Sequence, residues 1–328
     1  MEKNRNRQLM DIHVTNFWRG IAVIMVVVSH YAEWWSWFTP MEGNAELFRV
    51  ALTKLGVYGV DLFFLFSGYA MVKSLGGKKV TLSFVLKRIR NVYLPYFVVV
   101  GILELLSEGF TSVQDFLLFA SGYDYWFMFV LFICYIGFMI LWAFIGNRAV
   151  RTILFAVYVS VFSYILYSKG MSDFWFVSNL TFVLGVIVGE YEKPMTGAVR
   201  KAAIPAAVVL AVMMVPIVQA GLGLSDALAD KTPEQLIWMK IGATLVWTLL
   251  IFSLAVTCRI YGKLLAGLGK SSLYIYLTHT FIFMRCVNSL EYSYTARFVI
   301  SAVITVAVSL LCHFLITGGL RLLTGRRK

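Results

Sequence analysis

Two of the three histidines within apolar stretches of the chain could serve a function, because an ionisable side chain is costly there and is usually functional. His30 is in the stretch 17–38 and His279 is in the stretch 270–288, both near mid-depth if these stretches cross a membrane. A neutral imidazole can take a proton from a hydroxyl group and return it later, which is general acid–base catalysis. Because the two histidines have similar depths, we expect them to face one cavity.

Arg19 is predicted to share a helix face with His30. The two positions are eleven residues apart, which brings their side chains to within about 20° of each other and places them about 16 Å apart along the axis. Alternatively, Arg19 only anchors the topology, with its head group snorkelling to the interface. Glu33 follows His30 by three residues and can fix its tautomer, or else it belongs to an interfacial aromatic belt with Trp34 and Trp35.

Further ionisable side chains accompany the later stretches. Asp61 lies in the second stretch and either takes part in catalysis or hydrogen-bonds to a neighbouring helix. His313 has no motif around it, and we interpret it as structural. Lys87, Arg88 and Arg90 immediately precede the third stretch, where ammonium and guanidinium groups suit the phosphates of a phosphorylated donor.

The sequence contains ten apolar stretches of about the length that crosses a hydrocarbon core of roughly 30 Å. They cover 17–38, 56–76, 91–109, 125–146, 150–168, 173–190, 202–220, 238–257, 270–288 and 295–318. Charged residues make up only 14% of the 328 residues, against about 25% in soluble proteins. We therefore predict an all-α polytopic membrane bundle of about ten transmembrane helices, formed by 1–328 as a single domain.

The basic residues are divided unevenly between the two sides that ten spans would create. Of the 29 Lys and Arg residues, 22 fall on the side of the two termini and 7 on the other side. The positive-inside rule then predicts that both termini are cytoplasmic. The net charge of +12 reflects this topology rather than nucleic-acid binding. The four cysteines lack the spacing of a metal site, so we expect no metal.

Several motifs together resemble the membrane-bound acyltransferase 3 family. Their order along the chain is that of the family, and they extend over almost the whole sequence. The most specific pair is Arg19 with His30 eleven residues later, followed by the segment GVDLFFLFSGY at 59–69. The remaining matching segments are 84–96, 126–128, 268–272 and 276–279.

The resemblance implies a multi-pass O-acyltransferase of the plasma membrane. Members of the family take an acyl group, usually acetyl, from acyl-CoA on the cytoplasmic side. They pass it to a hydroxyl group of a glycan, a lipid-linked sugar or an antibiotic, often on the outer side. Acyl-CoA would thus be a substrate, and no cofactor would be bound permanently. A succinyl donor and a homo-oligomeric state stay open.

The resemblance also implies roles for individual residues. The family's essential histidine corresponds to His30, and its CoA-linked cations correspond to Arg19 and the basic pair before the third stretch. The family often has Arg-x-x-Arg there, whereas this chain has Lys87 three residues before Arg90, so the separate roles of Lys87 and Arg88 stay open. His30 would act as a base or carry the acyl group, and His279 or a tyrosine would steady the oxyanion.

Two other functions compete with the enzyme. A transporter or flippase of polysaccharide or lipid-linked sugar usually shows internal repeats and paired broken helices. Pro205 and Pro216 interrupt the seventh stretch, but the first half of the chain has no counterpart. A scaffold without catalysis is disfavoured because an idle buried charge is costly. Strict dependence on acyl-CoA would separate the enzyme from both alternatives.

Overall fold

The computed structural model describes residues 8–258, 260, 262–289 and 291–323, and the secondary structure in this part of the chain is entirely helical. The α-helices are α1 (Ile12–Trp35), α2 (Gly43–Leu75), α3 (Leu82–Arg88), α4 (Leu94–Leu106), α5 (Val113–Ser121), α6 (Trp126–Phe144), α7 (Arg148–Ser168), α8 (Asn179–Gly221), α9 (Pro233–Thr257), α10 (Lys263–Lys270), α11 (Ser272–Ser289) and α12 (Tyr294–Leu323). The predicted all-α fold is confirmed.

Eight helices in the described part of the chain are long and apolar enough to cross a membrane. Helix α11 is not among them, because polar residues such as Thr278, His279 and Arg285 interrupt its apolar sequence. Two of the predicted stretches, 173–190 and 202–220, fall within one long helical segment that contains α8. The chain is thus a polytopic helical bundle, whereas the number ten and the cytoplasmic termini stay predictions.

Helix α8 folds back on itself although its backbone is helical throughout. Just before it begins, the Val177 carbonyl accepts a hydrogen bond of 3.2 Å from Thr244 of α9. Further along, Ala207 shares a buried cluster with Leu250 of the same helix α9. The two positions on α9 are only about 9 Å apart, whereas thirty residues of a straight helix would extend about 45 Å. The chain must reverse between them, and Pro194 lies in the middle of that segment.

A buried carboxylate fixes the start of α1. We call the end of the bundle where α1 begins and α2 ends the basic end. There Glu192 of α8 is 2% exposed. It accepts hydrogen bonds from the Leu9 amide at 2.6 Å and from the Tyr69 hydroxyl at 2.7 Å, and it forms an ion pair with Lys73. The segment before α1 is therefore held against both α2 and α8.

Helices α1 and α10 approach so closely that glycine is required at the contact. A Cβ atom on Gly20 would collide with a backbone carbonyl of α10, and one on Gly269 would collide with the carbonyl of Asn16. Arg19 directly precedes Gly20, and Lys270 directly follows Gly269. The close contact of the two backbones therefore brings these basic residues into the same region.

Candidate active site

His30 of α1 and His279 of α11 form a direct hydrogen bond. The distance from His30 Nδ1 to His279 Nε2 is 2.7 Å. The ring centroids are 4.9 Å apart and the ring planes differ by 12°. This centroid distance is close to the longest that such a short N···N contact allows, so the rings lie edge to edge in nearly one plane. That is the geometry of an N–H···N hydrogen bond.

The hydrogen bonds of the pair determine where its protons are. His279 Nδ1 lies 2.7 Å from the carbonyl oxygen of Tyr276, and because a carbonyl only accepts, this nitrogen carries the proton. In a neutral His279, Nε2 is then the acceptor, so His30 Nδ1 is the donor. The remaining nitrogen, His30 Nε2, keeps a lone pair that is directed away from His279 and can take a proton.

Aromatic side chains border the pair on the side away from the basic end. His279 is 1% exposed, whereas His30 is half-buried. The His30 ring lies 5.6 Å from the ring of Trp34, which in turn stacks on Phe283 at 4.8 Å. His30 is therefore the member of the pair that a substrate can approach.

Glu33 does not contact the His30 imidazole. Its side chain is exposed, and it interacts electrostatically with Arg49. Three residues along a helix correspond to about 300°, so the side chains of His30 and Glu33 diverge by about 60°. The role predicted for Glu33, which is to fix the tautomer of His30, is filled by His279 in the structure.

A cavity of about 680 Å³ extends from the basic end towards the histidine pair. Four cationic side chains line it, namely Arg19 of α1, Arg88 and Arg90 before α4, and Lys270 of α10. No carboxylate occurs among the lining residues that the structure describes, and within the described ranges no cluster of His, Cys, Asp and Glu can hold a metal ion. Four positive charges without a negative one favour an anionic ligand.

Arg19 and Arg88 are held on different walls of this cavity. Arg19 Nη2 donates a hydrogen bond of 3.1 Å to the Ser272 hydroxyl, which ties α1 to α11. Arg88 donates to the Ser74 hydroxyl, and its guanidinium lies 4.9 Å from the ring centroid of Phe84. These contacts orient both guanidinium groups and leave further N–H groups for a phosphate.

Arg90 lies in a five-residue π-helix, Ile89–Tyr93, between α3 and α4. Pro95 has no N–H group for the carbonyl of Asn91 and would press its ring against that carbonyl in a regular helix, so the preceding turn widens. Arg90 Nε donates to Asn91 Oδ1 at 3.3 Å, and both side chains line the cavity. Lys87, by contrast, is exposed and lies outside the cavity lining.

Three aromatic rings line the part of the cavity nearest the histidine pair, and we call them the aromatic floor: Phe63 of α2, Phe127 of α6 and Tyr276 of α11. The ring of Phe127 lies 5.9 Å from that of Phe63 and 5.2 Å from that of Tyr276. The Tyr276 ring also lies 5.9 Å from the His279 ring. Tyr276 therefore borders both the cavity and the histidine pair.

Asp61 is completely buried and lies apart from the pair. Its backbone carbonyl accepts a hydrogen bond of 3.2 Å from Thr181 of α8. In the described part of the chain, its carboxylate interacts with the Ser178 side chain but has no hydrogen bond of normal geometry, and no contact joins it to His30 or His279. The structure places Asp61 at the α2–α8 contact and not in the cavity lining.

Lys270, Ser272 and His313 are among the residues that line the cavity but are absent from the predicted site. The segment 268–272 carries part of the family resemblance, and the seven residues from Ser272 to His279 are two helical turns. The sequence therefore contained a signal for the first two. His313, which we interpreted as structural, lines the cavity with its ring edge-on to Tyr274 at 5.3 Å, and its surrounding sequence gives no indication of this.

Comparison with known proteins identifies the family of the chain. The model of the acyltransferase 3 family, described as an acyltransferase domain, matches residues 13–314, a range that contains both histidines and the four cavity cations. No curated protein and no solved structure matches the chain. Because the family match extends over more than nine tenths of the 328 residues, the chain belongs to the acyltransferase 3 family and is a membrane acyltransferase.

Proposed function

We propose that this protein is an O-acyltransferase that takes an acyl group, with acetyl as the first candidate, from acyl-CoA and transfers it to a hydroxyl group of a glycan or lipid-linked sugar. One observation carries the proposal: a single cavity leads from four cationic side chains to the neighbourhood of a histidine pair with a free lone pair. The cations suit the phosphates of CoA, and the lone pair suits an acceptor hydroxyl.

The donor enters from the basic end, which is the end predicted to face the cytoplasm. Its phosphates bind Arg88, Arg90 and Lys270, and Arg19 extends this positive surface further inward. Fixed cations in a partly buried cavity attract phosphate more strongly than the same charges in bulk water. Arg19 and His30 are about 16 Å apart along α1, and the pantetheine arm spans this separation.

His30 Nε2 acts as the general base. It removes the proton of the acceptor hydroxyl while the hydroxyl oxygen forms a bond to the thioester carbonyl carbon. The C–S bond then breaks, and the CoA sulfur takes the proton that His30 holds, which restores the neutral pair. Because His30 is half-buried and borders Trp34 on the side away from the basic end, the acceptor approaches from that side.

His279 acts through His30 and does not stabilise the oxyanion. Both of its nitrogens are engaged, Nδ1 with the Tyr276 carbonyl and Nε2 with His30, so no N–H group is left for an oxyanion. His279 keeps His30 in the tautomer whose Nε2 is unprotonated, and it orients the imidazole during proton transfer. We therefore regard it as a positioning residue.

The test uses proteoliposomes supplied with radiolabelled acetyl-CoA and an extract of envelope glycans. We expect the wild type to consume the thioester and to label the acceptor. We expect His30→Gln and His30→Ala to lose at least about 100-fold in rate while eluting and unfolding like the wild type. Wild-type turnover in either variant would overturn the proposal. Label that accumulates on the protein without acceptor, and only when His30 is present, would replace direct transfer by an acyl-histidine relay.

A further inference from the structure

The two ends of the cavity differ in chemistry, and so do the two ends of an acyl-CoA molecule. The basic end of the cavity carries the four cations, whereas the aromatic floor lines its inner end. Acyl-CoA carries its phosphates at one end and its acyl thioester at the other. When the phosphates bind the cations, the acyl group is therefore the part of the donor that meets Phe63, Phe127 and Tyr276.

The aromatic floor is backed by further rings and leaves little free space. Phe63 is 7%, Phe127 6% and Tyr276 8% exposed. Behind them, Phe127 also lies 4.9 Å from Phe64, and Tyr276 lies 6.3 Å from Tyr125. Rings packed against other rings cannot move without opening a gap elsewhere, and the interiors of proteins tolerate such gaps poorly.

Displacement of the floor would also disturb the histidine pair. The backbone carbonyl of Tyr276 holds the Nδ1 proton of His279, and His279 in turn accepts from His30. An acyl chain that pushes Tyr276 aside therefore changes the orientation of His279. A long acyl group is penalised twice, once in binding and once in the alignment of the base.

We infer that the aromatic floor restricts the donor to short acyl groups, with Phe63 and Phe127 as the specificity-determining side chains. This inference rests on the proposed function, because it requires that acyl-CoA occupies the cavity. An acetyl group fits between the floor and the thioester without displacing a ring. Each further methylene group must displace one, and a single methylene in a closed pocket changes selectivity by about tenfold or more.

The chain offers a matched control for this inference. Phe66 lies one helical turn from Phe63 on α2, lines the same cavity and is buried to a similar degree, 3% exposed against 7%. It is nearer to the basic end and is not part of the floor. Phe63→Ala and Phe66→Ala therefore each remove a phenyl ring, at two different depths of the cavity. Only Phe63→Ala enlarges the end of the cavity that receives the acyl group. Phe127→Leu is a milder second change to the floor that guards against loss of folding.

The experiment measures kcat/KM and affinity for acetyl-CoA, butyryl-CoA and hexanoyl-CoA, with free CoA as the probe of the donor site. We expect the wild type to prefer acetyl-CoA over butyryl-CoA by about tenfold or more. Phe63→Ala and Phe127→Leu should each reduce this preference by about tenfold, whereas Phe66→Ala should leave it within about twofold. Free CoA should bind all four proteins with similar affinity.

Two results would overturn the inference. One is a wild type that uses acetyl-CoA and hexanoyl-CoA equally well, and the other is a shift in Phe66→Ala as large as that in Phe63→Ala. Free CoA separates a failure of the inference from a failure of the proposed function. If free CoA does not stabilise the wild type and no acyl-CoA is consumed, the donor assignment itself is wrong. If free CoA binds and acetyl-CoA is consumed without chain-length selection, only the role of the floor is wrong.

Discussion

Replacement of His279 tests whether a histidine that touches no substrate controls the catalytic one. His279→Leu removes the acceptor of the 2.7 Å hydrogen bond from His30 Nδ1 and keeps an apolar side chain in a site that is 1% exposed. His279→Gln also removes the ring but supplies an amide oxygen that can accept the same proton. The two variants therefore differ in whether His30 keeps a partner.

The size of the effect follows from the hydrogen bond. A buried donor that loses its acceptor costs about 1–3 kcal/mol, and because His30 is half-buried the lower part of that range applies, about 1–2 kcal/mol. This corresponds to a fall in kcat of about 5- to 30-fold in His279→Leu. The loss of control over the His30 tautomer lowers kcat further. The donor KM should change by less than about twofold, because the cavity cations are untouched.

The assay follows acetyl-CoA consumption in proteoliposomes and separates kcat from the donor KM. His279→Gln should recover most of the lost rate. Thr280→Val is the matched control, because the Thr280 hydroxyl approaches His279 Nε2 only at 3.4 Å, and its kcat should change by less than about threefold. If His279→Leu keeps the wild-type kcat, or if Gln and Leu are equally inactive, the tautomer assignment is refuted.

Two further predictions concern the donor site and the start of α1. Arg90→Ala should raise the KM for acetyl-CoA about tenfold or more, since it removes a charged hydrogen-bond donor from the cavity. Lys87→Ala should change this KM less than about twofold. Equal effects of the two substitutions in steady-state kinetics would contradict the placement of Arg90 inside the donor cavity and of Lys87 outside it. Glu192→Ala should lower the free energy of unfolding by about 3 kcal/mol, because Lys73 loses its buried partner, and Tyr69→Phe by only about 1 kcal/mol. Thermal unfolding in detergent measures the stability of both variants, and unchanged midpoints would disprove that Glu192 fixes the start of α1.

The apolar stretches could be predicted from the sequence because each must satisfy its backbone within a helix when it crosses lipid. The two stretches 173–190 and 202–220 implied a reversal between them, but the helical backbone of this connection could not be predicted, since the sequence between 190 and 202 contains basic residues and Pro194 that are equally compatible with a loop. The structure shows helix there, and only the contacts of Val177 and Ala207 with the same helix α9 reveal the turn.

The site could be predicted in part. Helical periodicity grouped Arg19 with His30 on one side of α1, because the two positions differ by nearly whole turns, and both side chains hydrogen-bond to α11. Periodicity alone could not choose between Glu33 and His279 as the partner of His30, because the second lies 249 residues away. Nor could it separate Lys87 from Arg88, since adjacent residues differ only in rotation and the packing of α3 decides which one faces the cavity.

The register of α1 against α11 decides between the two interpretations of Arg19. The helices run in the same direction and are joined at two points, His30 to His279 and Arg19 to Ser272. The two points are eleven residues apart on α1 but only seven on α11, about 16 Å against about 10 Å. The difference of about 6 Å must be covered by the arginine side chain and by the tilt between the helices. The guanidinium is therefore drawn inward to Ser272 and into the cavity. An arginine that snorkelled would extend towards the basic end instead, so Arg19 is a residue of the cavity and not only a topological anchor.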